Sequence, residues 1–315
     1  MNARKKIILD TDIGGDCDDM GALAMLQNAH RCGKAQLLAV TVSTANPYSA
    51  GCADAVNVYY GNRVPVGQTD RVPPGEDISF YPQSYGKHIA ENFPNAFASG
   101  ETKPFGAVKL LRKILAENKN GRITIVVIGS CINIAGLLES GADEYSKLDG
   151  KSLVAKQVQE LVIMGGYFPQ AGEQKPFFGD YLPDAECNIK TDVASARKVF
   201  SECPVPIAVS HYSVGWQLYT GGILIEKDRA NPVAEAYFVH SHGNRDSWDP
   251  VAAYYAVCGA DEFLFLSERG TVSVDEKGVT TFVKNKTGKH RLIECTRRQE
   301  TAQRIDAMIT GELFA

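Results

Sequence analysis

Five aspartates that fall within ten residues are the part of this sequence most able to do chemistry. Two of them follow a short apolar run, and three follow a pair of glycines: Asp10, Asp12, Asp16, Asp18 and Asp19. Two carboxylates about 4 Å apart repel each other by roughly 1–4 kcal/mol, so a cluster of five is best explained by a shared cation. Carboxylate oxygens are ligands that suit Ca²⁺ or Mg²⁺ better than zinc.

The elements around this cluster place it where α/β proteins bind ligands. Residues 7–9 are apolar and predict a short buried strand, and residues 20–26 predict a helix. The carboxylates then lie between the end of a strand and the first turn of a helix, the usual site of ligand binding in an open α/β sheet. Helix capping is the alternative explanation. It accounts for Asp16 and Asp18 but not for Asp10 and Asp12.

Two common motifs are excluded by the same stretch. A calcium-binding EF-hand loop that began at Asp10 would need Asp or Asn at position 14 and Glu at position 21, and both positions are Gly. A phosphate-binding Walker A loop would need Gly-Lys-Ser/Thr at its end, and this stretch has no such run.

The rest of the chain predicts an α/β fold with a mainly parallel, Rossmann-like sheet flanked by helices. Apolar strand patterns alternate with helical patterns, as βαβ units require. From residue 263 the pattern becomes β-rich, which predicts a C-terminal β-rich elaboration before a last helix near residues 297–310. We see no repeat and no low-complexity linker, so we expect one domain over residues 1–315. The polar segment 68–102 predicts a long irregular loop, which we expect to form a surface lid.

Composition narrows the class of protein. Of the 315 residues, 44% are hydrophobic, and the net charge is −4 with no basic block, which argues against nucleic-acid binding. The eight cysteines include no C-x-x-C pair, which favours reduced cysteines. No apolar stretch has the length of a signal peptide or a membrane span, so we expect no membrane partner and a cytoplasmic protein.

The aspartate-rich segment resembles the signature of the nucleoside hydrolase family, the inosine-uridine-preferring N-ribohydrolases. That signature reads roughly Asp-x-Asp-x-Gly-x-Asp-Asp, and Asp10, Asp12 and Gly14 match it, followed by Asp18 and Asp19. This chain carries two extra residues before the paired aspartates.

Later segments match the family in the same order along the chain. The segment at residues 129–133 (GSCIN) resembles Gly-Pro-Leu-Thr-Asn, and residues 185–189 (AECNI) resemble Ala-Glu-Phe-Asn-Ile. Residues 248–250 (WDP) resemble His-Asp-Pro, with Trp248 in place of His. Asn46 falls where the family has a Gly-Asn pair, although an Asn before Pro is also a common turn residue. Asp180 falls near a family Asn.

The resemblance implies a calcium-dependent hydrolysis of the N-glycosidic bond of ribonucleosides and a homodimer or homotetramer. It implies that Ca²⁺ is held by three carboxylates and a backbone carbonyl, and that one of the carboxylates is the general base. It also implies purine stacking and a role in purine salvage. The expected metal ligands are Asp12, Asp19, Asp249 and the Ile132 carbonyl, with Asp12 as the base. The expected substrate-binding residues are Asp10, Asp18, Asn46, Asp180, Glu186, Asn188 and Trp248, with Trp248 stacking on the base.

Two other classes of protein stay open at this stage. One is a Ca²⁺-dependent ribose-binding protein that has lost catalysis, which is favoured by Trp248 in place of His and by Asp180 in place of the family Asn. The other is a haloacid-dehalogenase-type phosphatase, in which an Asp-x-Asp motif also lies at the end of the first strand. That family has Thr or Val at the position of Gly14. The candidates for the leaving-group acid are His88, His240, His242 and Asp180.

Overall fold

The computed structural model describes residues 4–169 and 185–314. Its strands are β1 (Lys5–Thr11), β2 (Ala35–Val42), β3 (Val66–Gln68), β4 (Phe105–Gly106), β5 (Ile123–Val127), β6 (Val158–Met164), β7 (Ile207–Ser210), β8 (Tyr219–Thr220), β9 (Arg245–Asp246), β10 (Leu264–Leu266), β11 (Gly270–Val274), β12 (Thr280–Lys284) and β13 (His290–Cys295).

The helices lie mostly between these strands. They are α1 (Asp18–Arg31), α2 (Ser49–Tyr60), α3 (Tyr85–Asn92), α4 (Ala107–Glu117), α5 (Ile132–Glu139), α6 (Gly150–Gln157), α7 (Cys187–Thr191), α8 (Val193–Glu202), α9 (Tyr212–Gly215), α10 (Ile223–Lys227), α11 (Pro232–Ser241), α12 (Trp248–Cys258) and α13 (Arg298–Ile309). Short 3₁₀ helices span Ile78–Gln83 and Glu312–Phe314.

The central sheet confirms the predicted mainly parallel α/β fold. In the described part of the chain it has eleven strands, in the order β12-β11-β13-β7-β6-β5-β1-β2-β3-β4, with β10 paired to β13. The pairs from β7 to β4 are all parallel, and β13 is also parallel to β7. The antiparallel pairs involve β10, β11 and β12. The C-terminal β-rich segment therefore extends one edge of the same sheet.

Helices cover both faces of this sheet. Side chains on successive strand residues point to opposite faces, so each central strand contributes to a hydrophobic cluster on either side. In β1, Ile7 and Leu9 belong to one hydrophobic cluster and Ile8 to the other. The first cluster includes residues of α1, α2, α11, α12 and α13, and the second includes residues of α4, α5, α6 and α8. No helix within the described ranges is both long and apolar enough to cross a membrane.

The segment 68–102 is less irregular than predicted, because it contains α3 and the 3₁₀ helix Ile78–Gln83. Ser84 begins α3 as an N-cap whose hydroxyl accepts a hydrogen bond from the Lys87 N–H. Tyr85 and Ile89 are buried against the first hydrophobic cluster. The segment therefore packs partly as a helix against the aspartate-rich turn.

Candidate active site

A cavity of about 320 Å³ opens where β1, β5 and β6 end and α12 begins. Parallel strands bring their carboxyl ends to one edge of the sheet, which explains how residues far apart in sequence meet there. The cavity is lined by Asp12, Asp16, Asp18, Asp19, Ile128, Met164, Glu186, Cys187, Asn188, Tyr212, Arg245, Trp248 and Asp249.

Three buried carboxylates in this cavity form a possible metal site. Asp18, Asp19 and Asp249 each offer an oxygen, and these oxygens lie within 4.8 Å of one another. The first turns of α1 and α12 hold them in place, and the Asp249 N–H donates to Asp18 Oδ2 at 3.0 Å. Burial, followed by repulsion from neighbouring carboxylates, raises the pKa of all three well above the usual range. A divalent cation would relieve that repulsion, and hard oxygen donors fit Ca²⁺ or Mg²⁺.

Asp12 lies in the same cavity, beyond the end of β1. Burial raises its pKa to about 7, with a further contribution from the charges of Glu76, Glu186 and Asp16. A carboxylate with a pKa in this range is suited to exchange protons near neutral pH. Asp12 also borders a second cavity of about 270 Å³, which Asn46 and Glu76 line.

The glycine-rich turn that carries these aspartates is fixed by α2 and α3. The Tyr85 hydroxyl accepts from the Gly14 N–H and donates to the Asp16 carbonyl, both at 2.8 Å. The Ser49 hydroxyl donates to the Ile13 carbonyl. Gly14 has a φ of +117°, which few residues other than glycine adopt. A β-carbon on Gly86 would lie 2.7 Å from the Gly14 Cα, so the two backbones touch at this point.

Asp16, whose role was not assigned from the sequence, forms ion pairs at the edge of the cavity. Its carboxylate accepts from Arg245 Nη2 at 2.5 Å and from Nε at 2.9 Å, and His240 Nε2 lies 3.3 Å away. Burial alone would raise the pKa of Asp16, but hydrogen bonds from His240 and Arg245 hold it well below its usual range. Asp16 is therefore an anion that positions Arg245.

Glu186 and Asn188, which the resemblance implies for ribose binding, both line the main cavity. Glu186 caps α7, accepts from the N–H groups of Asn188 and Ile189, and also accepts from the Gly166 N–H. Asn188 donates to the carbonyls of Ile128 and Met164 at 3.1 and 3.2 Å, and so ties the ends of β5 and β6 together. Burial raises the pKa of Glu186. Both side chains are fixed before any ligand binds.

Aromatic side chains form the other end of the cavity. The ring of Trp248 lies 5.4 Å from that of Tyr212 and 6.3 Å from that of Trp216. The Arg245 guanidinium lies 4.9 Å from the Trp248 ring centre, and Trp248 Nε1 donates to the Tyr212 carbonyl. Trp248 is only 9% exposed. Most of its indole surface is thus already covered by protein.

The Ile132 carbonyl, which was predicted to be a metal ligand, has a protein partner in this structure. Ile132 is the first residue of α5, and its carbonyl accepts a hydrogen bond from Arg71 Nη2 at 2.8 Å. It is not among the described residues that line the cavity, whereas Ile128 is. Ile128 directly follows β5, at the edge where the carboxylates gather. The Ile128 carbonyl, however, also accepts a hydrogen bond, from Asn188 Nδ2 at 3.1 Å, so the carbonyl ligand of the metal stays a prediction.

Two predicted substrate residues lie away from the main cavity. Asp10 is fully buried, accepts from the Asn133 amide at 3.2 Å, and is not among the described residues that line either cavity. Its contact with ribose stays a prediction. Asn46 lines the second cavity, and its amide donates to the Ser84 hydroxyl at 3.2 Å. Asp180 lies outside the described residues.

Sequence reasoning missed Met164, Tyr212 and Arg245 as cavity residues. Met164 is the last residue of β6, and Tyr212 lies two residues after the end of β7. Their position at strand ends was a usable signal, because ligands collect there. Arg245 gave no such signal, since it lies in a short strand whose pairing with β8 is not visible in the sequence.

These features define a class of α/β protein with an acidic cavity at the ends of its parallel strands. A family model described as inosine-uridine preferring nucleoside hydrolase matches residues 7–308, and the chain therefore belongs to that family. The family is metal-dependent, in agreement with the buried carboxylate cluster. Comparison with curated proteins gives no match.

Solved structures show the same fold. An inosine-uridine preferring nucleoside hydrolase from Bacillus anthracis superposes with a TM-score of 0.72 and 16% identity, over 97% of this chain and 99% of that one. An inosine-guanosine nucleoside hydrolase superposes with a TM-score of 0.73 and 16% identity, over 98% of this chain and 99% of that one. The type III effector XopQ, complexed with adenosine diphosphate ribose, superposes with a TM-score of 0.68 and 15% identity, over 100% of this chain and 94% of that one. At such identities the likeness concerns the fold alone.

Proposed function

We propose that this protein hydrolyses the N-glycosidic bond of ribonucleosides, with a preference for purine nucleosides and a requirement for Ca²⁺. The observation that carries the proposal is the buried group Asp18, Asp19 and Asp249, which shares a cavity with Asp12. Family membership supports nucleoside hydrolysis and removes the support for a phosphatase.

The residues present fit a divalent cation. Asp12, Asp19 and Asp249 would hold it, and Asp18, which lies beside Asp19 and Asp249 in the same cavity, would contact the ribose. Ca²⁺ accepts a crowded carboxylate site more readily than Mg²⁺, which gives up its waters reluctantly. When bound, such an ion lowers the pKa of water and orients the substrate.

The side chains that line the cavity would accept the proton of the water and bind the ribose. Asp12 takes a proton from the attacking water while the oxygen of that water bonds to the anomeric carbon. Glu186 and Asn188 hold the ribose hydroxyls. The C–N bond breaks and its electron pair stays with the base, so positive charge develops on the sugar, as in other glycoside hydrolyses. The surrounding carboxylates stabilise that charge.

The purine preference rests on the aromatic end of the cavity. Tyr212 and Trp248 line it, and a purine covers more of their surface than a pyrimidine does. Because Trp248 is already packed against Tyr212, Trp216 and Arg245, we expect the base to contact this group of side chains together rather than the Trp248 face alone.

The test is ribose release from a panel of inosine, guanosine, adenosine, uridine and cytidine by the Ca²⁺-loaded protein. We expect kcat/KM for the best purine nucleoside to exceed that for uridine at least tenfold, or about 1.4 kcal/mol. Asp12→Asn should lose about 10²–10⁴-fold in kcat. The matched control is Glu276→Gln, an exposed carboxylate in the turn after β11. Equal loss in both variants would refute the role of Asp12.

A second candidate function is binding of a ribosyl ligand without turnover. It is favoured by Trp248, which cannot give a proton to a leaving base, and by the likeness of the fold to an effector seen with adenosine diphosphate ribose. In that case ribose or adenosine diphosphate ribose would raise the melting temperature, while no nucleoside in the panel would release ribose.

A further inference from the structure

Arg245 is the only cationic side chain among the described residues that line the main cavity. Its guanidinium lies 4.9 Å from the Trp248 ring centre, which puts a permanent positive charge at the aromatic end, where the base would lie. Asp16 pairs with Arg245 at this end, and the charge of Asp18 also acts on Arg245. Arg245 is therefore a cationic donor that lies among carboxylates and beside the aromatic ring of Trp248.

The orientation of Arg245 leaves part of its guanidinium uncommitted. Nε donates to the Asp16 carboxylate at 2.9 and 3.0 Å, and Nη2 donates to the same carboxylate at 2.5 Å. Nη1 makes one long contact, at 3.5 Å, with Asp246. Arginine has five N–H donors, so the Nη1 end retains donors for a ligand. A bidentate carboxylate partner fixes the plane of the guanidinium.

The histidines proposed as leaving-group acids do not line this cavity in the described part of the chain. His88 lies 3.0 Å from Glu235, and His240 lies 3.3 Å from Asp16. Trp248 Nε1 already donates to the Tyr212 carbonyl. In the described part of the chain, Arg245 is thus a charged donor that lines the cavity, whereas these histidines do not line it.

We propose that Arg245 stabilises the departing base and that Asp16, which lies in the stretch containing the two extra residues, positions it. This proposal rests on the proposed hydrolysis. Water adds its oxygen to the anomeric carbon and gives one proton to Asp12. The C–N bond breaks, its electron pair goes to the base, and the Arg245 N–H groups bind the resulting anion. The guanidinium keeps its protons, and the base then takes a proton from solvent.

Two substrates that differ only in the leaving group test this role. Inosine needs its base stabilised, whereas p-nitrophenyl β-D-ribofuranoside releases a phenolate that leaves without help. Arg245→Gln should lower kcat for inosine about 100-fold, the usual effect of removing a donor from developing negative charge. The same variant should lower kcat for the nitrophenyl riboside by less than about fivefold.

Further variants separate this role from a structural one. Asp16→Asn/Arg245→Gln removes both charges of the pair, so no unpaired anion is left, and should show the same contrast between substrates. Arg63→Gln, an exposed arginine, is the control for loss of a cation. Equal losses on both substrates in the single and double variants would overturn the proposal. If the unmodified protein hydrolyses neither substrate, the proposed hydrolysis itself fails, which is a different result.

Discussion

At the scale of single residues, the structure explains why so many aspartates lie together. Asp18, Asp19 and Asp249 form one group that suits a cation, while Asp16 forms a separate ion pair with Arg245. The Asp16 carboxylate can be partly buried because Arg245 pairs with it. Asp18, Asp19 and Asp249 can be buried together only when a cation is bound or when their carboxylates are protonated. The five aspartates near the N-terminus therefore have different tasks.

The first residue-scale prediction concerns Asp249→Asn. With one carboxylate fewer, Ca²⁺ affinity measured by calorimetry should fall at least about tenfold, because a ligand charge is lost. Without metal, the same variant should melt about 2–4 °C higher than the unmodified protein, because repulsion in the group is relieved.

Glu276→Gln, which removes an exposed carboxylate, should change neither quantity measurably. A metal-free Asp249→Asn protein that melts lower than the unmodified one would show that Asp249 is held by favourable contacts rather than by a cation.

Which carboxylates gather at the site was predictable, whereas the carbonyl ligand was not. Asp12 follows a strand pattern and Asp19 comes just before a helix pattern, and the sequence shows both patterns directly. The carbonyl depends on where β5 ends and α5 begins. The Ile132 carbonyl, at the first residue of α5, accepts from Arg71, and the Ile128 carbonyl, at the strand end, accepts from Asn188. Which carbonyl would bind the metal therefore stays a prediction.

At the scale of elements, the glycine-rich turn is held against α3 by close backbone contact. Gly86→Ala should therefore displace the turn, because its β-carbon would lie 2.7 Å from the Gly14 Cα. Overpacking of this kind costs about 1–3 kcal/mol. We expect a lower melting temperature and weaker Ca²⁺ binding, measured by thermal melts with and without Ca²⁺.

The control for this change is Gly141→Ala, an exposed glycine whose added β-carbon would meet nothing within 4 Å. If both alanine variants bind Ca²⁺ equally well, then the contact between Gly86 and Gly14 does not set the shape of the metal site.

A pH-dependent contact lies between β11 and β13. His290 is buried, and its Nδ1 accepts a hydrogen bond from the Val272 N–H at 2.8 Å, which only the neutral ring can do. Burial, with a smaller effect of Lys289, lowers the pKa of His290 to about 4. The unfolded chain, with a pKa near 6.5, then binds more protons than the folded protein between these values.

The contribution of His290 to stability is therefore present above pH 6.5 and is lost as the pH falls towards 4. It amounts to at most about 3 kcal/mol. His290→Gln, which cannot take up a proton, should lose less unfolding free energy between pH 7 and pH 4.5 in urea titrations. Identical pH dependence in the two proteins would contradict this account of the β11–β13 contact.

At the scale of the whole molecule, alternating strand and helix patterns were enough to predict a parallel α/β sheet with helices on both faces. The sequence also showed that the C-terminal part is β-rich. It did not show that β13 pairs parallel to β7 and so joins the central sheet, because strand pairing depends on contacts between distant residues. The homodimer or homotetramer implied by the resemblance stays a prediction, for which light scattering is the measurement.

The ends of the parallel strands determine what the whole fold can do. They bring Asp12 after β1, Ile128 after β5 and Met164 at the end of β6 to one cavity, and α12 adds Asp249. The proposed hydrolysis requires that a water, a sugar and a base are held together in this cavity. A binding protein could use the same cavity but would not need Asp12 as the proposed general base.

Proton NMR of inosine with Ca²⁺-loaded protein in phosphate-free buffer tests this account most directly. We predict that ribose and hypoxanthine appear in equal amounts, that chelation of the metal stops the reaction, and that Asp12→Asn slows it at least about 100-fold. If the inosine signals stay unchanged for hours, while ribose or adenosine diphosphate ribose still raises the melting temperature of the same sample, the protein is a binder and the hydrolase account is wrong.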